Sequence, residues 1–258
     1  FKQKTAYEIM PSLVGSEMCI RDRAIATAMF PTFSAQAAQG ETRQMLASLA
    51  ASLRGVLYLA IPASIGLWLL GKPLITMLFQ NSTFSEQSTE MVTWALSWYA
   101  LGLVPHSVVE IVTRAFYALK DTRTPVIIGL LAMLINVALS LIITNVFKAY
   151  GLFPHGGIAL ANTIATTLEM IALLWLLRPR LGGLDASSIL KSVCRTAAGA
   201  AVMMITLRGW IAIGPESVVT LGLVGVMLGI AIFWGTTALL GSDQGFRLPN
   251  LVRHHLRR

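Results

Sequence analysis

Residues 125–147 read PVIIGLLAMLINVALSLIITNVF, a run of 23 residues without a charge. At about 1.5 Å per residue a helix of this run is roughly 34 Å long, enough to cross a hydrocarbon core about 30 Å thick. Such a length fits a membrane span, and neither a strand nor an ordinary core helix needs it. Comparable runs lie at 49–70, 88–118, 156–177, 189–211 and 218–240. Residues 24–38, AIATAMFPTFSAQAA, read as the end of a truncated further span. The expected fold is therefore an all-α membrane protein, a polytopic helical bundle of about six full transmembrane helices plus a truncated one. The 88–118 run is longer than a crossing requires and is expected to tilt, to bend at Pro105 or to extend past the bilayer. Between the first two full spans, KPLITMLFQNSTFSEQ (72–87) is expected to hold a short apolar turn at the interface.

Composition agrees. Of the 258 residues 55% are hydrophobic, the mean hydropathy is +0.68, and 12% are charged, about half the roughly 25% of soluble domains. The net charge of +8 raises nucleic acid as a partner, but its placement answers otherwise. Of the 20 Lys and Arg, 16 follow residue 23. Thirteen of these fall on the face that holds the 36–48 loop; only Lys72, Lys148 and Arg208 fall opposite. By the positive-inside bias the first face and the C-terminus are expected in the cytoplasm. The tail RHHLRR (253–258) reads as a topological retention signal, with contact to anionic lipid headgroups as the alternative. The two cysteines, Cys19 and Cys194, make no disulfide framework and no metal spacing. No signal peptide precedes the first apolar run, as expected of a protein held by its own spans. Residues 1–23 differ from the rest: four basic and three acidic residues and no long apolar run. They resemble adapter-derived strings at the ends of environmental sequence fragments and are expected not to be native.

No HExxH, GxSxG or P-loop pattern is present, so no catalytic residue, metal ligand set or cofactor is assigned. The informative chemistry is polar residues inside apolar spans, where ionisable groups mark a pathway or a pair. His106, Glu110 and Arg114 stand at i, i+4 and i+8 on one helical face. They are candidates for a substrate cavity; alternatively Glu110 and Arg114 neutralise each other as an i, i+4 pair. Asn136 and Ser140 are also four apart, and Asn162, Thr166 and Glu169 share a face of the following span. Their oxygens suit Na⁺ coordination, a proton relay, or bonds between helices. Arg54 reads as a snorkelling anchor, and Pro62 and Pro105 as packing bends.

In RAFYALKDTRTPV (114–126), Phe116 and Tyr117 sit at the depth of an interfacial aromatic belt. Lys120 and Arg123 hold the loop on the basic side, and Asp121 closes the turn. Thr124 and Pro125 are expected as N-cap and first residue of the next helix.

The strings FPTFSAQAAQGE, LAIPASIGLWLLGKPLITMLFQNSTFS, YALGLVPHSVVEIVTRAFYALKDTRTPV and GGIALANTIAT together resemble the MurJ/MviN family of lipid II flippases, of the multidrug/oligosaccharidyl-lipid/polysaccharide exporter superfamily. The likeness covers Ala24 to Leu177, and the R-x-F-Y-A-x-x-D-T-x-T-P string is its most specific part. It implies two six-helix lobes around a central cavity, followed by two extra helices. Residues 24–177 would belong to the C-terminal lobe, 178–241 to the two extra helices and 242–258 to a basic cytoplasmic tail. The implied activity is not enzymatic: alternating access that moves a lipid-linked peptidoglycan precursor across the bacterial cytoplasmic (inner) membrane, in cell-wall synthesis. The implied partners are the lipid-linked oligosaccharide, membrane lipids and the N-terminal lobe of the same protein. Cationic cavity residues would meet the pyrophosphate. The family's Na⁺ positions map onto Asn136, Ser140, the carbonyl of Ile158 and Asn162, with Ser140 where a carboxylate is expected. Coupling to Na⁺ or to protons follows as an expectation. Two alternatives stand beside this one: a flippase for another polyprenyl-linked oligosaccharide, and a non-transporting membrane scaffold with a degenerate cavity.

Overall fold

The structure, a computed structural model, describes residues 29–79, 85–181, 186–214 and 217–241. The expectations for residues 1–23 and for the basic tail 242–258 fall outside the described residues. Seven helices follow in chain order: α1 over 29–38, then α2 (Thr42–Phe79), α3 (Glu86–Ala118), α4 (Arg123–Ala149), α5 (His155–Arg180), α6 (Ala186–Ile213) and α7 (Val218–Leu239). The last six are long and apolar enough to cross a membrane. Each of the six expected spans lies in one of them to within a residue, and most of the helices are longer than the spans. The α5 helix continues through Pro179 to Arg180, past the boundary expected at residue 177.

Residues Lys72 to Phe79, expected as part of an interfacial turn, instead extend α2. Packing holds this end in the helix. Pro73 and Ile75 are buried, and Gly222 of α7 brings its backbone against Pro73 and Leu74. A methyl group at Gly222 would lie 3.7 Å from Leu74 and 4.0 Å from Pro73. The hydrogen bond that Pro73 forfeits is offset by this contact. The α3 helix likewise runs unbroken through Pro105.

The helices stack in the order α4, α5, α3, α2, with α6 and α7 on the far side of α2. One core joins α1, α2, α3 and α5 through Phe33, Leu49, Val56, Ile111, Phe116 and Leu173. A second joins α2, α6 and α7 through Tyr58, Leu70, Met203, Leu207 and Phe233. Small residues set the spacing. Gly102 admits the Thr163 side chain, whose hydroxyl donates to the Trp98 carbonyl at 2.8 Å. Gly157 lies directly on the backbone of Thr144. Helix α4 is the outlier: only 6% of its apolar window is buried, and Val126, Leu130, Met133 and Leu141 all face outward. A face of this kind suits hydrocarbon and not water.

The end of α3 is closed by a Schellman motif. The Lys120 N–H donates to the Tyr117 carbonyl and the Asp121 N–H to the Phe116 carbonyl, both at 3.0 Å. Lys120 takes the left-handed conformation, φ 60°, whereas Gly40, Gly151, Gly214 and Gly241 take it elsewhere. A side chain there costs about 1–2 kcal/mol.

Candidate functional site

Helix α3 carries the first group. The Arg114 guanidinium contacts the Glu110 carboxylate at 2.7 Å and donates to the Glu110 carbonyl at 2.8 Å. The side chains are 18% and 27% exposed respectively. The i, i+4 spacing has thus produced the pair, with one edge of the guanidinium left open. His106 is exposed one turn earlier. The three residues form one face, as the spacing implied.

Helices α4 and α5 carry the second group. The Asn136 amide donates to Asn162 Oδ1 at 3.4 Å, and the Ser140 hydroxyl donates to Asn136 Oδ1 at 3.3 Å. The helices run antiparallel, with Asn136 level with Asn162 and Gly129 level with Glu169. That register sets Ile158 level with Ser140. Three neutral oxygens meet here, each already engaged with another member of the group. Among the described residues no three His, Cys, Asp or Glu side chains converge. The arrangement ties α4 to α5, a contribution of about 0.6–2 kcal/mol. Thr166 is buried, and Glu169 is half-buried against Gly129.

The loop between α3 and α4 corrects an expectation. The cap of α4 is Asp121, not Thr124. Asp121 Oδ1 accepts the N–H groups of Arg123 and Thr124, both at 3.1 Å. Thr122 already has helical dihedrals, so Pro125 sits inside the first turn and is not its first residue. Thr124 cannot cap because its hydroxyl donates to Asp121 Oδ2 at 2.6 Å. Proline at this position forfeits only the first bond the helix could make, from the N–H of residue 125 to the Asp121 carbonyl.

Arg180, at the end of α5, completes the loop and was not legible beforehand. Its guanidinium donates to Asp121 and to Thr124 Oγ1 at 3.2 Å, and lies over the Phe116 ring at 5.3 Å. Three helix ends thus meet on one carboxylate. Lys120 and Arg123 remain exposed beside it.

The hydrogen bonds from Thr124, and then the Arg180 guanidinium, hold the Asp121 carboxyl below its ordinary value of 3.8. A depressed carboxyl stabilises the fold fully above its unfolded value, and the gain is lost as pH falls through the lower, folded value. Asp121→Asn keeps a capping oxygen but loses the charge facing Arg180, which is 42% exposed, and is therefore expected to lower stability at pH 7 by about 0.2–1 kcal/mol, the range for a surface ion pair. The gap to the parent should close in acid below pH 3.8. Thermal melts across pH check this, and a gap that stays constant into acid contradicts it.

A second feature also escaped the sequence reading. An apolar cavity of about 460 Å³ opens between α2, α6 and α7, lined by Pro62, Gly66, Leu70, Gly225, Gly229 and Phe233 among others. Tyr58 closes one side, its hydroxyl within 2.7 Å of Thr237 Oγ1 and its ring 5.0 Å from Phe233. Arg54, expected as a snorkelling anchor, ties α2 to α6 by donating to Ser188 Oγ at 3.0 Å.

Comparison with known proteins gives consistent results. The sequence model of the lipid II flippase MurJ family matches residues 21–233. A probable lipid II flippase MurJ of Bdellovibrio bacteriovorus is 26% identical over 228 residues, 87% of this chain. One from Vibrio cholerae is 28% identical over 234 residues, 84% of this chain. Among solved structures, a lipid II flippase MurJ in an inward closed conformation superposes with a TM-score of 0.69 over 84% of the chain, at 21% identity, and so shares the fold. The matched region spans 42% of the length of each of these three proteins.

Proposed function

The chain belongs to the lipid II flippase MurJ family, and from that premise we propose that it forms one lobe of a transporter for lipid II. The proposed cargo is a peptidoglycan precursor carried on a polyprenyl tail, and the proposed setting is the bacterial cytoplasmic membrane. The lobe holds the tail while the head group crosses by alternating access. The basic face with the α3–α4 loop lies in the cytoplasm in this reading, supported by the thirteen-to-three division of Lys and Arg.

The observation that carries the reading is the apolar cavity between α2, α6 and α7. Its volume of about 460 Å³ lies in the range of small-molecule sites, roughly 300–1,000 Å³. A polyprenyl chain needs apolar walls and no hydrogen bonds, and Leu59, Leu67, Leu74 and Ile230 supply such walls. The pyrophosphate needs a cation with free donors. The open edge of Arg114 offers one, because guanidinium matches phosphate geometry.

The test is lipid II binding to the purified chain in nanodiscs. Gly66 lines the cavity, and a methyl group placed on it meets no atom within 4 Å. Gly66→Leu therefore enters open space at its Cβ and extends into the cavity. It is expected to weaken binding about 10-fold, the equivalent of about 1.4 kcal/mol, with the melting temperature unchanged. Undiminished binding in this variant would remove the cavity from the mechanism. A second polyprenyl-linked oligosaccharide included as competitor separates recognition of the tail from recognition of lipid II itself.

A further inference from the structure

Helices α3 and α5 run parallel, and Gly102 packs on the Thr163 backbone, an offset of 61 residues. His155 Nε2 meets the Met91 carbonyl, an offset of 64 residues. Thr163 donates to the Trp98 carbonyl, an offset of 65. Arg180 lies over Phe116, again 64 apart. Between these contacts the offsets of 61 to 65 set residues 167–171 within a turn of His106, and Glu169 falls among them. Glu169 is 11 residues from Arg180 and 14 from His155, about 16 Å and 21 Å along the helix. That is close to the middle of a core about 30 Å thick.

The surroundings of Glu169 are unusual. It is half-buried, and Gly129 of α4 brings backbone to its carboxylate: a methyl group there would lie 3.5 Å from Oε1. Among the described residues it makes no hydrogen bond and no ion pair. His106 of α3 is the titratable side chain at its level. Every other candidate is accounted for. Helix α4 has charged side chains only at its ends, Arg123 and Lys148; those of α5 are His155, Arg178 and Arg180, also near its ends. The described part of α1 has no titratable residue. On α3, Glu110 and Arg114 already pair with each other. A carboxylate at mid-membrane with no partner of its own is costly, and such groups mark ion or proton pathways.

We propose that His106 and Glu169 form a mid-membrane protonation site, shared by α3 and α5, that takes up and releases one proton. The proton comes from water on one side of the membrane and adds to the pair. It turns a carboxylate beside a neutral imidazole into either an ion pair or a neutral acid beside that imidazole. Each outcome raises the charge of the site by one, and release to water lowers it by one. That this proton drives transport rests on the flippase reading; that the site binds it does not.

The experiment is a pH titration of the chain in phosphatidylglycerol nanodiscs, followed by infrared difference spectroscopy of the carboxylic C=O stretch. A titrating carboxyl band is expected in the parent and is expected to vanish in Glu169→Gln. In His106→Asn, which keeps the carboxylate, the midpoint is expected to move by about 0.5 pH units or more. The same band persisting in Glu169→Gln, or a midpoint unmoved in His106→Asn, overturns the proposal. Amide bands in the same spectra report whether each variant is folded; if Glu169→Gln is not, the His106→Asn midpoint decides alone. Lipid II binding by the same samples separates the two readings. A titrating band without binding removes the flippase reading and leaves the proton site, and binding without the band does the reverse.

Discussion

Gly157→Val is expected to be among the most destabilising single substitutions in the bundle, at about 2–3 kcal/mol, and to loosen α4 from α5. A methyl group at Gly157 would lie 2.8 Å from the Thr144 nitrogen, 2.9 Å from its Cα and 3.0 Å from the Ile143 carbonyl carbon. All three are backbone atoms of a regular helix, so no side chain can rotate out of the way. The two helices must separate by the width of the added group. The Asn136–Asn162 hydrogen bond, already at 3.4 Å, would then be lost. Gly156 is tight for a different reason: its methyl group would lie 2.1 Å from Trp94 Nε1. Trp94 cannot yield freely, because it packs edge-on against Trp98 at 5.6 Å and against Phe147 at 6.1 Å. The control is Gly55→Ala. It meets nothing within 4 Å and should gain up to about 1 kcal/mol from helix propensity. Thermal unfolding of the three chains in one detergent checks the order. If Gly157→Val melts with the parent, the close backbone approach is absent.

What the sequence made legible follows from the range of each interaction. The six spans could be read because length and apolarity are properties of a single segment. The Glu110–Arg114 pair could be read because i, i+4 geometry belongs to one helix. The meeting of Asn136 with Asn162 came within reach once a resemblance supplied the topology. The extension of α2 past Lys72 was not legible, because Gly222, 150 residues away, supplies the packing. Arg180 looked like one more basic residue at a helix end, for the same reason. Its partners Asp121 and Phe116 lie 59 and 64 residues earlier, and no local spacing joins them. The cavity was hidden most deeply. On its wall Gly66 leaves space that nothing refills, whereas the space left by Gly225 and Gly229 is taken by Leu70 and Leu207, and a glycine in a sequence does not announce whether its space is filled.

The second large effect is expected at Arg114, where stability and binding should part company. A double-mutant cycle with Glu110→Gln, Arg114→Ala and both together separates pairing from substrate contact. Removing the guanidinium takes away the ion pair of the Glu110 carboxylate. The full cost of breaking a buried pair is about 3–5 kcal/mol, and the partial exposure of both groups, 18% and 27%, halves it to about 2 kcal/mol. Neutralising both residues should recover most of this loss, since no charge is left without its partner. Binding should behave otherwise. If Arg114 meets the pyrophosphate, Arg114→Ala weakens lipid II affinity about 10-fold or more, and the double variant remains as weak. Glu110→Gln should then bind as well as the parent or better, because a competitor for the guanidinium has been withdrawn. A charge-assisted contact of about 1.5–3 kcal/mol accounts for this size of effect. Parallel recovery of stability and affinity in the double variant would mean that Arg114 serves only to neutralise Glu110. Loss of affinity with stability restored assigns the open edge of the guanidinium to the cargo, because no packing defect then remains to explain the loss.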